Sequence, residues 1–318
     1  MWMALLLLSL TGCAMVGQQF GRGFAIGYRF QQGVTAYRTQ QYAAAARDFS
    51  AVIALNPQYE LAYEWRAVSY IGLHDFRSAV ADYDQALFLL NDAGAPRARR
   101  STLLERRAYA KSSAGDFAGA IRDDTAALSI NPDDSYLYLN RAWTYSNHQD
   151  YAKAIADLSL ILRKDPQFTQ ALRQRASTYG AAHDYSDAIA DDTSILDSRM
   201  TDAPALNERC WYRTLAGSNL QLALNDCNAA LRLHMTRGLR AATLQSRSLT
   251  YFKLRQFDNS LADCNASLAL ARMADTLYVR SLVERALNNA ENAQRDASEA
   301  LALDPKIVET YAGYGLRR

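Results

Sequence analysis

A period of 34 residues is the feature that most constrains this chain. It is clearest in Ser135–Phe168. A helix-like run there carries Asn140, Arg141, Ala142, Trp143 and Tyr145, and a polar break follows at Asn147–Asp150. A second run carries Tyr151, Ala154, Asp157 and Leu158, and Asp165-Pro166 closes it, since proline cannot continue a helix. Setting Asn56-Pro57, Asn131-Pro132, Asp165-Pro166 and Asp304-Pro305 in one register yields eight repeats, starting at 26, 60, 101, 135, 169, 203, 241 and 274. A helix pair with one apolar face cannot bury it alone, so neighbouring pairs must stack. Stacking replaces the two or so globular domains that 318 residues would otherwise suggest.

Three register positions define the helix pair. Position 8 is small throughout: Gly33, Ala67, Ala108, Ala142, Ala176, Cys210, Ser248 and Ser281. Position 20 is Ala45, Ala79, Ala120, Ala154, Ala188, Ala223, Ser260 and Ala293, allowing one extra turn residue near Ser218. Position 17 is aromatic in six repeats: Tyr42, Phe76, Phe117, Tyr151, Tyr185 and Phe257. Small residues at two fixed points let antiparallel helices approach, and the aromatic wedges their turn. This pattern resembles the tetratricopeptide repeat (TPR) family. The resemblance implies an all-α fold, a right-handed α-solenoid of about eight helix-turn-helix units over 26–305, with 306–318 as a capping helix. Seven residues are inserted near Asn91–Arg100 and four near Met235–Leu239, and both are expected to bulge as loops.

Two positions carry charge. Position 23 is Asp in all eight repeats: Asp48, Asp82, Asp123, Asp157, Asp191, Asp226, Asp263 and Asp296. Position 7 is Arg in seven: Arg66, Arg107, Arg141, Arg175, Arg209, Arg247 and Arg280, with Gln32 in the first. A guanidinium fork can grip a carboxylate in two places, which favours a structural pair over a ladder of ligand-binding charges. The missing first Arg favours pairing between repeats, such as Asp123–Arg141 and Asp157–Arg175, because pairing within a repeat would strand Asp48. The doublets Asp123-Asp124 and Asp191-Asp192 recur two repeats apart and are read as products of the repeat.

The N-terminus has a separate character. Residues 1–10 are almost wholly apolar and too short to span a bilayer, which takes about 20 residues. Leu10-Thr11-Gly12-Cys13 resembles the lipobox of bacterial lipoproteins, which implies a signal peptide over 1–12 and lipidation of Cys13. Ala14 after the cysteine implies the outer membrane, facing the periplasm, although no basic residue precedes the apolar run. An ordinary secretory signal or a chance apolar start are the alternatives. Residues 13–25 read as a tether, with Gly17, Gly21 and Gly23 interrupting any helix. Cys210 and Cys227 fall on facing helices of one repeat, so they form either a disulfide or two small core residues; Cys264 has no such partner.

Chemistry is sparse. The balance of 35 Lys+Arg against 33 Asp+Glu argues against a nucleic-acid binder. No zinc spacing, metalloprotease helix or phosphate-cradling loop occurs, so no catalytic residue, metal or cofactor is implied. His74, His148 and His183 fall in the turns between helices and read as turn residues. Arg97, Arg99, Arg100, Arg106 and Arg107 form a basic cluster, read as a solvated face or a patch for anionic lipid.

In TPR proteins one face of each first helix lines a concave groove. The resemblance places Phe30, Tyr37, Tyr109, Tyr136, Trp143, Trp211, Phe252 and Tyr278 there, with Asn140, Gln170 and Arg173 as polar companions. Rigid aromatics with polar tips anchor peptides well, although several could instead pack between helices. No three repeats carry the Lys and Asn residues of the clamp that grips acidic C-terminal tails. The expected function is a non-enzymatic scaffold of the bacterial envelope that binds proteins or peptides. A cytosolic adaptor or co-chaperone is the alternative if the signal is false.

Overall fold

The computed structural model describes residues 21–92 and 96–316. The proposed signal peptide and Cys13 lie outside them, as do Arg317 and Arg318. Seventeen helices and no strand occur among the described residues. They are α1 (21–38), α2 (Tyr42–Leu55), α3 (Glu60–Gly72), α4 (Phe76–Asp92), α5 (Arg97–Ser113), α6 (Phe117–Ile130), α7 (Ser135–Asn147), α8 (Tyr151–Lys164) and α9 (Thr169–Ala181). The remainder are α10 (Tyr185–Ser198), α11 (Ala203–Ala216), α12 (Leu220–Arg232), α13 (Arg237–Lys253), α14 (Phe257–Leu270), α15 (Ala274–Ala286), α16 (Ala290–Leu303) and α17 (Ile307–Gly313). The fold is an α-solenoid built of helix pairs, and each repeat of the sequence register supplies one pair.

The chain forms two compact parts, one up to Asp150 and one from Tyr151. In the first part the core runs through Tyr63, Ala67, Ala79, Tyr83, Leu103 and Leu137. In the second it runs through Leu249, Leu277, Tyr278, Val283, Ile307 and Tyr311. The small positions do the expected work. Gly33 lies so close to the Phe49 ring that a β-carbon would sit 2.7 Å from it. All six aromatics of position 17 are the first residue of their helix.

The turn between the helices of a repeat needs one left-handed residue. It is Gln40, His74, Gly115, Gln149, His183, Gly217, Arg255 or Asn288, and the longer turn of the sixth repeat has a second in Asn219. All three of His74, His148 and His183 lie in these turns, but only His74 and His183 take the left-handed place; His148 has φ −85°, and Gln149 takes it there.

The charged ladder departs from the sequence expectation. In six repeats the Asp pairs with the Arg of its own repeat, not with that of the next one. Arg107 grips Asp123 through Nε and Nη2, both at 2.7 Å, and Arg175 grips Asp191 at 2.8 and 2.7 Å. The same fork joins Arg66–Asp82, Arg209–Asp226, Arg247–Asp263 and Arg280–Asp296. Asp48 is not stranded, because Arg29 reaches it at 3.1 Å. The link between repeats comes from the third nitrogen. Nη1 donates to a polar side chain two positions past the preceding repeat's Asp: Arg66 to Ser50, Arg107 to Asp84, Arg141 to Thr125, Arg175 to Ser159 and Arg209 to Thr193. Tyrosine rings flank the guanidinium in several repeats, as Tyr63 and Tyr70 flank Arg66.

Among the described residues, both insertions lengthen the helices beside them. α4, α5 and α13 have 17 residues each, against 13 or 14 in most of the others. The added turns find partners: Arg99 at the start of α5 bonds Glu60 at 2.9 Å and also Glu64, and Arg237 bonds the Leu270 carbonyl at 2.8 Å. The basic cluster is therefore not simply a solvated face, since Arg99, Arg106 and Arg107 all hold carboxylates. Gly21 and Gly23 lie within α1, so the tether reading fails from residue 21 onward. Arg22 fastens that first stretch by donating to the Leu55 carbonyl at 2.7 Å.

A disulfide joins Cys210 and Cys227, whose Cα atoms are 5.5 Å apart, and so ties α11 to α12. Cys264 is fully buried, and burial pushes its thiol up to about 12.

Two outcomes follow. Arg175→Ala leaves Asp191 buried without its fork, and urea melts should show a loss of about 3 kcal/mol. Arg175→Lys should recover only part, because an ammonium cannot fork. Reduction of the disulfide should cost about 3 kcal/mol by the loop-entropy account, while Cys264 should react with a thiol reagent only on unfolding.

A candidate partner-binding site

Eleven groove residues are implied by the sequence, and the structure divides them. Tyr109, Asn140 and Trp143 converge in the first part. Tyr109 and Trp143 are 49% and 41% exposed, and their rings stack at 6.2 Å with 23° between planes. Together with Ile71, Glu105, Arg106, Asp124 and Thr144 they line a cavity of about 330 Å³. A second cavity of about 510 Å³ adjoins it, sharing Ile71 and Arg106, and is walled by Tyr37, Trp65 and Tyr83. Most of these residues stand on α1, α3, α5 and α7, the first helices of four successive repeats, while Tyr83 comes from α4 and Asp124 from α6. Tyr136 is also exposed on α7, but it lines neither cavity.

Others are not where the resemblance implied. Tyr278 is fully buried, packed 4.9 Å from Tyr311, and belongs to the core. Phe30 sits among Phe49, Tyr59 and Trp65, and Phe252 against Phe257, so both pack between helices. Arg173 already holds Asp202 at 3.1 Å and Glu208 at 3.4 Å. Gln170 is exposed on α9 and lines none of the cavities described. Trp211 is covered by the chain's own C-terminal segment. There Tyr314 meets Trp211 edge-on at 5.7 Å and His183 at 6.2 Å. Tyr311, from α17, accepts from Gln245 Nε2 at 3.0 Å and donates to Asp275. So in the second part the first-helix face is occupied from within, while the first part keeps an open one.

Sequence reasoning missed Trp65, Glu105 and Asp124. A signal for Asp124 was present. Position 24 holds core residues elsewhere, namely Phe49, Tyr83, Leu158, Cys227, Cys264 and Ala297, so the second Asp of each doublet is not a product of the repeat. Asp124 is 1% exposed, and no described residue bonds its Oδ1. Thr144 donates to Oδ2 at a long 3.4 Å. Burial pushes the Asp124 carboxyl up to about 7, with Asp123 and Glu105 adding to it and Thr144 and Arg141 opposing. Burial likewise raises Glu105, although Asn140 Nδ2 donates to it at 2.8 Å.

Asp192 is the counterpart in the second part. It is fully buried, and burial with the neighbouring Glu208 carboxylate pushes it up to about 9. Neither Asp192 carboxyl oxygen has a hydrogen-bond partner among the described residues, so nothing there offsets the cost of ionising it.

The comparisons fit this architecture. A tetratricopeptide repeat family model matches residues 125–156. Sperm-associated antigen 1 of Homo sapiens is 30% identical over 92 residues, 29% of this chain and 10% of that protein. The chain thus spans about a tenth of the length of the curated relative it matches. A tetratricopeptide repeat protein of Parabacteroides merdae superposes with a TM-score of 0.65 at 19% identity, covering 81% of this chain and 99% of that one. The C-terminal part of a TPR repeat-containing protein of Cytophaga hutchinsonii gives 0.54 at 15% identity, covering 89% and 98%. The fold is that of an α-solenoid repeat protein. Residues 125–156 match a tetratricopeptide repeat, and the fold of the chain is the one seen in tetratricopeptide repeat proteins.

The two buried carboxyls set a pH dependence. An unfolded Asp loses its proton near 4, whereas folded Asp192 keeps it to about 9 and folded Asp124 to about 7. Between those limits the folded chain binds more protons, so their stabilising share is complete below about pH 4 and is lost as pH rises. Urea midpoints measured across this range should fall with pH from these two sites, and Asp192→Asn with Asp124→Asn should flatten the slope.

Proposed function

We propose that the protein is a non-enzymatic scaffold that holds a segment of another polypeptide in the open groove of its first part. The observation that carries this is the exposed, stacked Tyr109–Trp143 wall above a concave cavity. Large exposed aromatics beside a cavity are the usual anchors of a bound chain, and a TPR array has no other evident use for them here. The second part gives an internal precedent, since its own C-terminal segment lays Tyr311 and Tyr314 against first-helix aromatics.

The setting proposed is the bacterial envelope, with the protein anchored through Cys13 in the outer membrane and facing the periplasm. Leu10-Thr11-Gly12-Cys13 supports this reading. A Cys210–Cys227 disulfide is compatible with an oxidising compartment.

Affinity capture from solubilised membranes tests the groove. Tyr109→Ala with Trp143→Ala should lower recovery of the partner at least about tenfold, as expected for two anchors. Trp211→Ala, whose ring lies under Tyr314, should leave recovery unchanged. Equal recovery with the Tyr109/Trp143 variant would sink the reading. Metabolic labelling with a radioactive fatty acid should mark the wild type and not Cys13→Ala.

A further inference from the structure

The cavity beneath Tyr109 and Trp143 has an acid floor that the fold does not require. Asp124 sits at a register position filled by core residues in most repeats, where a carboxyl costs stability. Its neighbour Asp123 is fully engaged, by Arg107 and by Lys111 at 2.8 Å. Asp124 is not: one oxygen has no partner among the described residues, and the other has only the long contact from Thr144. The Thr144 hydroxyl is also shared with the Asn140 carbonyl at 3.1 Å.

The charges around it do not neutralise it. From α5, Glu105 adds a second carboxylate, which takes the Asn140 amide. Arg106 lines the cavity, but its guanidinium is drawn aside to Glu64, which also holds Arg99. From α7, Arg141 attracts Asp124, yet its Nη1 bonds Thr125 and its guanidinium lies over Tyr138 and Tyr145. From α6 itself, Asp123 repels it. The cavity thus combines a buried, under-bonded carboxyl, a second carboxylate and two aromatic faces. A positive group gains from each of these.

We propose that this cavity receives the cationic side chain, lysine or arginine, of the polypeptide segment bound in the groove. The proposal rests on the groove reading and names the chemistry of its occupant. The ammonium or guanidinium enters the cavity beside the stacked Tyr109–Trp143 wall and bonds Asp124 and Glu105. The cation favours ionised Asp124, so binding releases a proton near neutral pH, and affinity rises as pH rises through about 7. Lysine itself stays charged across that range.

The test uses the full chain and two fluorescent blocked peptides, identical except that one has a central lysine and the other norleucine, which has the same unbranched carbon chain without the ammonium. Anisotropy titrations at about pH 8 should give at least about tenfold tighter binding for the lysine peptide, and at about pH 5.5 most of that preference should vanish. Asp124→Asn should abolish the preference at both values. Asp124→Leu, which places at this position the residue found at Leu158, should do the same while raising the melting temperature, so loss of binding cannot be blamed on unfolding. Equal binding of the two peptides, or a preference that survives Asp124→Asn, overturns the proposal. Spermidine that binds while the lysine peptide does not would also overturn it, in favour of a free amine. The capture experiment keeps the two readings apart. If Asp124→Asn retains the membrane partner and the Tyr109/Trp143 variant loses it, the groove stands and the cation site falls. If both retain it, the groove itself falls.

Discussion

The fold depends on one arrangement, a guanidinium that spends three nitrogens in two directions. Nε and Nη2 close a carboxylate within the repeat, and Nη1 bonds a hydroxyl, amide or carboxylate of the repeat before. Apolar stacking supplies the driving force, but it is indifferent to small slips between similar helices. A planar fork is not, because its bonds survive only at one separation and angle. The arrangement therefore fixes register both inside a pair and between pairs. The tyrosines at three before and four after the Arg lie on the same helical face, which accounts for part of an otherwise high tyrosine count.

Most of this architecture was legible because a repeat prints its rules several times over. Small residues at positions 8 and 20, and an aromatic at 17, were enough to place every helix pair. The direction of the Arg–Asp pairs was not legible. The absent first Arg suggested a chain of neighbours, but Arg29 serves Asp48 from a different position. The true link, from Arg175 to Ser159 for example, hides in a column of small polar residues that surface chemistry would explain equally well. The insertions were misread for a related reason: extra residues look like a loop unless their partners, such as Glu60 for Arg99, are known.

The site was half legible. A face assignment identifies which residues of a helix point toward the groove, and Tyr109, Asn140 and Trp143 were found that way. It cannot say whether something else already covers that face. Tyr278 and Trp211 have the right register, yet α17 and Tyr314 lie over them. Asp124 was passed over because its doublet recurs at the repeat spacing, and periodicity was taken as sufficient cause. Comparing the column instead of the spacing shows that aspartate is the exception there.

The disulfide carries a mechanical consequence. An array of this kind, drawn out from its ends, yields a repeat at a time, because each repeat is held mainly by its neighbours. The span between Cys210 and Cys227 cannot follow. Its sequence separation of 17 residues withholds about 60 Å of contour length from any extension. Under load the sixth repeat would lose its neighbours and still keep its two helices joined, a closed link left in an otherwise straightened chain.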